Sequence, residues 1–115
     1  VAEVVMVGAL VVVLVLGLVQ LALALWVRTA LIDAAAEGAR TAAMYDGDLA
    51  AGTDRALEVV GMSLTPGYAE SATARVESGA GYDVVVVEVR APLPVIGLLG
   101  PSGSLTATGR AVAER

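Results

Sequence analysis

The sequence contains no cysteine, no histidine, no lysine and no phenylalanine in its 115 residues. Without cysteine there is neither a disulfide framework nor a thiolate metal site, although this alone does not place the chain inside or outside a cell. Without histidine the commonest general base and the imidazole ligands are gone, leaving carboxylates, hydroxyls and tyrosine as the only groups for catalysis. Aromatic residues make up 3% of the chain, so its apolar mass is Val, Leu and Ala, which suits a lipid-facing or helix-packed surface better than a ligand pocket. Positive charge is also scarce. Seven arginines face 12 acidic residues for a net charge of −5, and Arg28, Arg40, Arg55, Arg75, Arg90, Arg110 and Arg115 are scattered along the chain. Nucleic-acid binding requires clustered cations that displace condensed counterions, so that class is excluded. No glycine-rich phosphate loop is present, which leaves no nucleotide cofactor motif.

What is abundant is hydrophobicity, at 57% of residues and a mean hydropathy of +0.81. It is concentrated at the start. From Val4 to Val27 there is no charge, and Gln20 is the only strongly polar residue. As a helix this run is about 36 Å long, enough to cross a bilayer. It exceeds the apolar core of a secretory signal, and no basic stretch precedes it, so it reads as retained rather than cleaved away. The rest of the chain is too short to bury such a rod, and a bilayer or a helix bundle is its expected environment. Gly8 and Gly17 allow local bending or close packing, and no proline kinks the run.

Helix formers continue without proline to Met44, predicting one helix from about Val4 to about Tyr45. In its outer part Ala30, Ala34, Gly38 and Ala42 recur at i, i+4, a smooth strip that permits close backbone approach. Either the chain's own sheet or the helices of neighbouring subunits suit that strip. Asp33 and Glu37 share a face as like charges, with Arg40 one turn beyond Glu37 to compensate, a pattern that fits subunit contacts. Asp46-Gly47-Asp48 reads as a turn and helix cap; with no carboxylate in the next four residues it is too poor in oxygen ligands for calcium. A shorter second helix then places Leu49, Leu57, Val60 and Leu64 on one face and ends at Gly61 and Pro66-Gly67.

Beyond it the period changes to two. Ala72, Ala74 and Val76, then Val85, Val87 and Val89, then Leu105, Ala107, Ala111 and Ala113 alternate with polar or opposite-facing residues, predicting three strands. Ser78-Gly79-Ala80-Gly81 is a hairpin connection joining the first two strands. The connection after Ala91 carries Leu93, Val95, Ile96, Leu98 and Leu99 between prolines and glycines. Such a segment either folds over the core or forms a patch for a neighbouring subunit or the membrane interface. The expected fold class is α+β: a long hydrophobic N-terminal helix (residues 1–45, with 4–27 in membrane or filament core) and a small outer domain (46–115). In that domain a short helix packs on a three-stranded antiparallel sheet.

Glu3 is the acid that needs explanation, because it directly precedes the apolar run, where an ionisable group is costly. It either sits at the headgroup level or pairs with an N-terminal ammonium, its own or a neighbour's, as an alignment device during assembly. Taken together, Ala2-Glu3-Val4-Val5-Met6-Val7-Gly8-Ala9-Leu10, Leu18-Val19-Gln20-Leu21, Trp26-Val27-Arg28-Thr29-Ala30-Leu31 and Ala35-Ala36-Glu37-Gly38-Ala39-Arg40-Thr41-Ala42-Ala43 resemble TadE-like pilins of the tight-adherence (Tad) pilus systems. In such pilins the glutamate usually stands fifth in the mature chain; Glu3 corresponds to it in type but not in count. The resemblance implies a bacterial prepilin cleaved by a prepilin peptidase, an extracytoplasmic outer domain, and assembly with copies of itself or other pilins into an extracellular filament. It implies neither a cofactor nor a catalytic residue. The alternative is a non-polymerising, single-pass component of a secretion or surface-binding apparatus. A membrane-bound hydrolase would rest on carboxylates alone.

Overall fold

The computed structural model describes residues 1–44, 47–79, 81–92 and 104–113. Along the chain run α1 (Ala2–Ala43), α2 (Leu49–Ser63), β1 (Ser71–Ser78), β2 (Asp83–Pro92) and β3 (Ser104–Val112). The expected α+β class is what the structure has, and the two helices and three strands fall close to their predicted positions. Tyr45, Asp46, Ala80 and the aliphatic residues Leu93, Val95, Ile96, Leu98 and Leu99 lie outside the described residues.

The 42-residue α1 is about 63 Å long at the standard rise, close to the longest molecular dimension of 71 Å. Its two halves differ in what they touch. Residues 1–19 are exposed throughout, whereas Val27, Leu31, Ala34, Ala35 and Ala39 are buried. Asp48 caps α2 as predicted: its Oδ1 accepts from the Ala51 amide at 2.6 Å, satisfying one of the free donors of the first turn.

The sheet is an antiparallel meander in the order β1-β2-β3. In the first ladder Ala74 pairs with Val87 and Ser78 with Asp83; in the second Val87 pairs with Gly109 and Ala91 with Leu105. The even positions of β1 and the odd positions of β2 and β3 therefore share the face that meets α1, and the alternation of the sequence becomes the two sides of the sheet. Val87 and Val89 are fully buried there with Leu31 and Val60; each such side chain contributes about 1.5–3 kcal/mol.

Two glycines set how closely these layers approach. A Cβ on Gly38 would lie 2.6 Å from the Gly52 carbonyl oxygen and 2.9 Å from the Ala56 Cβ, so α2 crosses α1 with backbones nearly touching. A Cβ on Gly109 would collide with the backbone of Ala35 and Ala36, so β3 lies directly on α1. This contact corrects the expected face of α2. Gly52, Ala56 and Val60 point inward, with Val59 and Leu64 half-buried, while Leu49 and Leu57 are 37% and 40% exposed. So narrow a gap admits the line of small residues and rotates the leucines outward.

Replacing Gly109 with valine is expected to destabilise the chain in detergent by about 3 kcal/mol or more, the upper end for overpacked cores, whereas Gly8→Ala and Gly17→Ala, which meet nothing within 4 Å, leave the midpoint unchanged. Chemical denaturation followed by near-UV circular dichroism measures the difference.

Candidate functional site

The candidate site is α1 itself, a surface rather than a pocket. Among the described residues nothing covers its first 19 residues: Val4 is 75% and Leu18 66% exposed, and an 18-residue window of mean hydropathy 2.9 is entirely unburied. By length and composition α1 can cross a membrane. Glu3 sits in its first turn, where a carboxylate is favoured by the free amides of the helix start. It makes no ion pair among the described residues, the Val1 end included. Gly8 and Gly17 face open space.

The outer half has one side occupied and one side free. Ala30, Ala34, Gly38 and Ala42 are all buried within the chain, against β3 and α2, so of the two partners that suit the strip the chain's own elements hold it. The opposite side presents Thr29, Asp33 and Arg40 as exposed polar residues and Ile32 as a 41% exposed aliphatic. Arg40 donates to Glu37 at 3.0 Å, one turn away as its spacing predicts. Arg55 of α2 also approaches Glu37, at 3.8 Å, and pairs with Glu58 at 2.8 Å. That second cation was not legible in the sequence, because only the α1–α2 crossing brings it near. Asp33 has no ion pair among the described residues.

A second charged network, also unforeseen, covers the sheet face turned away from α1. Arg75 reaches Glu77 at 3.1 Å and Glu88 at 3.5 Å, and Arg110 reaches Glu77 at 3.2 Å. Arg75 and Arg110 both stand opposite Val86 in register, and Val86 is fully buried although it lies on this outer face. Long arginine stems shield an apolar neighbour while their charged ends stay in water. Hydrogen bonds from Arg110 and then Arg75 hold the Glu77 carboxyl below its ordinary value. At the end of the central strand the Tyr68 hydroxyl donates to the Pro92 carbonyl at 2.9 Å, and desolvation raises its pKa. Among the described residues no group of three acidic side chains is placed to hold a metal ion. There are surface depressions of about 380 Å³ beside the β1–β2 hairpin, lined by Gly79, Gly81, Tyr82, Asp83 and Ala113, and of about 310 Å³ between the end of α1 and the sheet, with Met44, Leu49, Val76 and Val85 in its lining.

Comparison with known families adds one finding: residues 1–40 match the family model described as TadE-like protein. No curated protein and no solved structure matches the chain. The matched segment contains the exposed apolar half and continues into the buried strip at Gly38. With a helix able to span a membrane, it fits a membrane-anchored component related to Tad pili.

The Glu77 pairs stabilise the fold above its ordinary carboxylate value of 4.5 and are lost as pH falls below that value through the depressed one. Glu77→Gln is therefore expected to flatten the acid limb of a stability-versus-pH curve, and curves of equal slope would show that the network contributes nothing. Tyr68→Phe removes one hydrogen bond and is expected to cost about 1 kcal/mol in denaturant titration.

Proposed function

We propose, for a chain whose first 40 residues are TadE-like, that it is a structural subunit of a Tad-type pilus, working by helix packing rather than catalysis. In this reading prepilin peptidase processes the precursor at the membrane, α1 holds it in the bilayer, and the outer part faces away from the cytoplasm. The pilus machinery then transfers α1 into a bundle with other pilin helices, in the shaft or at the tip of an extracellular filament.

One observation carries the reading: among the described residues, 1–19 of α1 are bare on every side, while from Gln20 onward one side becomes covered. Transfer of that half from lipid to water would cost tens of kcal/mol at about 1.5–3 kcal/mol per aliphatic side chain. Transfer into a bundle of similar helices exchanges one apolar environment for another. The helix can leave lipid only for its own kind. Beyond the membrane, neighbouring helices have access to α1 only on the side of Thr29, Ile32, Asp33 and Arg40. Glu3, at the start of the bare half, would find its counter-charge on a neighbouring subunit.

A second reading, a membrane-anchored component of the same apparatus that does not polymerise, is favoured by the use of the small-residue strip inside the chain. Only Ile32 then remains as a large aliphatic on the free side of the outer half.

Sheared surface filaments probed for this polypeptide separate the two. Glu3→Ala and Ile32→Asp are each expected to lower its filament content by at least about tenfold, the equivalent of 1.4 kcal/mol per contact, with unchanged amounts in the membrane fraction. Finding the wild-type chain only in membranes, with filaments intact in its absence, would establish the second reading instead.

A further inference from the structure

The bare half of α1 ends where the outer part begins. Val27, the last residue of the uncharged run, is 3% exposed, and Leu31, one turn later, is fully buried. No stalk separates the two regions. With the bare residues 1–19 in hydrocarbon, the near end of the outer part, where Leu23 and Ala24 are half-buried and Val27 is buried, lies at the level of the lipid headgroups.

The fold identifies that end. Gly109 lies on Ala35 and Ala36, and Ala113 and Val85 lie beside Ala42 and Ala43, so β3 runs in the same direction as α1. Its first residues, with their β2 partners Arg90 and Ala91, are at the level of Val27 to Leu31. The start of β1 is there too, since Ser71 pairs with Arg90.

Charge is distributed unevenly along this axis. Arg40, Arg55, Arg75 and Arg110 each form an ion pair with a carboxylate. Arg28 and Arg90 are exposed and form none among the described residues. Glu70 donates its amide to the Arg90 carbonyl at 2.7 Å, but its carboxylate is not paired with the guanidinium. Among the described arginines, the two without an ion pair are thus the two at the headgroup level, with the exposed, unpaired carboxylates of Glu70 and Asp33 near them. Trp26, the single tryptophan of the chain, is 57% exposed one residue before the end of the run, at the depth where tryptophan is enriched in membrane proteins.

We propose that the near end of the outer part rests on the bilayer that α1 spans, with Arg28 and Arg90 against the phosphates of anionic lipids and Trp26 among the headgroups. The inference depends on the membrane reading above and adds a second lipid contact, made by the sheet. It is continuous with the span, and the two free guanidiniums are complementary in charge to lipid phosphates.

Because the chain lacks cysteine, spin labels can be placed singly at Ser71→Cys and Ser78→Cys, the two ends of β1, in the full chain in vesicles of phosphatidylcholine with or without phosphatidylglycerol. With the anionic lipid, the label at 71 is expected to be markedly less accessible to a water-soluble relaxation agent than the label at 78. Arg28→Gln and Arg90→Gln should each weaken that protection about fivefold, the factor a surface arginine brings to anionic-membrane partition. Quenching of Trp26 by brominated lipids reports insertion of α1 separately. Strong quenching with equal access at 71 and 78 would mean that α1 is inserted while the outer part stands clear of the bilayer, which overturns the proposal and leaves the membrane reading intact. Absence of quenching overturns both. Protection at 71 that survives without anionic lipid or without both arginines overturns the phosphate contact.

Discussion

Everything packed on the outer half of α1 depends on how closely that helix lets other backbones approach. The strip of Ala30, Ala34, Gly38 and Ala42 would be a weak hydrophobic surface if judged by area, since small side chains remove little apolar surface from water. Its value is geometric. At Gly38 it admits the backbone of α2, and beside it Ala35 and Ala36 admit β3 through Gly109; both contacts leave no room for a Cβ. Packing at this distance brings the valines of β2 into the same layer as Leu31 and Val60, and so a modest sheet acquires a dry core. Dispersion falls steeply with separation, so a layer held apart by even one methyl group would lose much of that contact.

The same economy governs charge. No polar or charged side chain is buried among the described residues, and the ion pairs lie on surfaces where each is worth little alone. Their more useful work is done by their stems. Arg75 and Arg110 cover Val86, converting an outward-facing valine into a buried one without adding an element of structure. Among the described residues no second layer covers this face of the sheet, and arginine supplies part of one.

Much of this was legible in the sequence. The absence of charge from Val4 to Val27 is visible without any fold, the Asp48 cap follows from residue type and position, and the period-two alternation of Val85, Val87 and Val89 gave the inner face of the sheet. The face of α2 was not legible, because hydrophobic periodicity favours the leucines, whereas the buried line was selected by a backbone contact with α1 that only the tertiary structure contains. The Arg55 approach to Glu37 and the Arg75, Glu77, Glu88 and Arg110 network escaped for a related reason: their partners are distant along the chain or on different elements, and the register that joins them is set by the β1–β2 hairpin and the placement of β3. Of the candidate site residues, the strip on α1 was identifiable from spacing, but which partner would occupy it was not.

The continuity of α1 has a rotational consequence. An unbroken helix with the sheet fixed to its outer half has no joint at which the outer part could turn independently. Each residue advances the helix by a fixed angle of about 100°, so the side on which the apolar half is contacted determines the compass direction in which the arginine-lined sheet face looks. What the apolar half turns toward its surroundings and what the sheet displays are set together, by the phase of one helix.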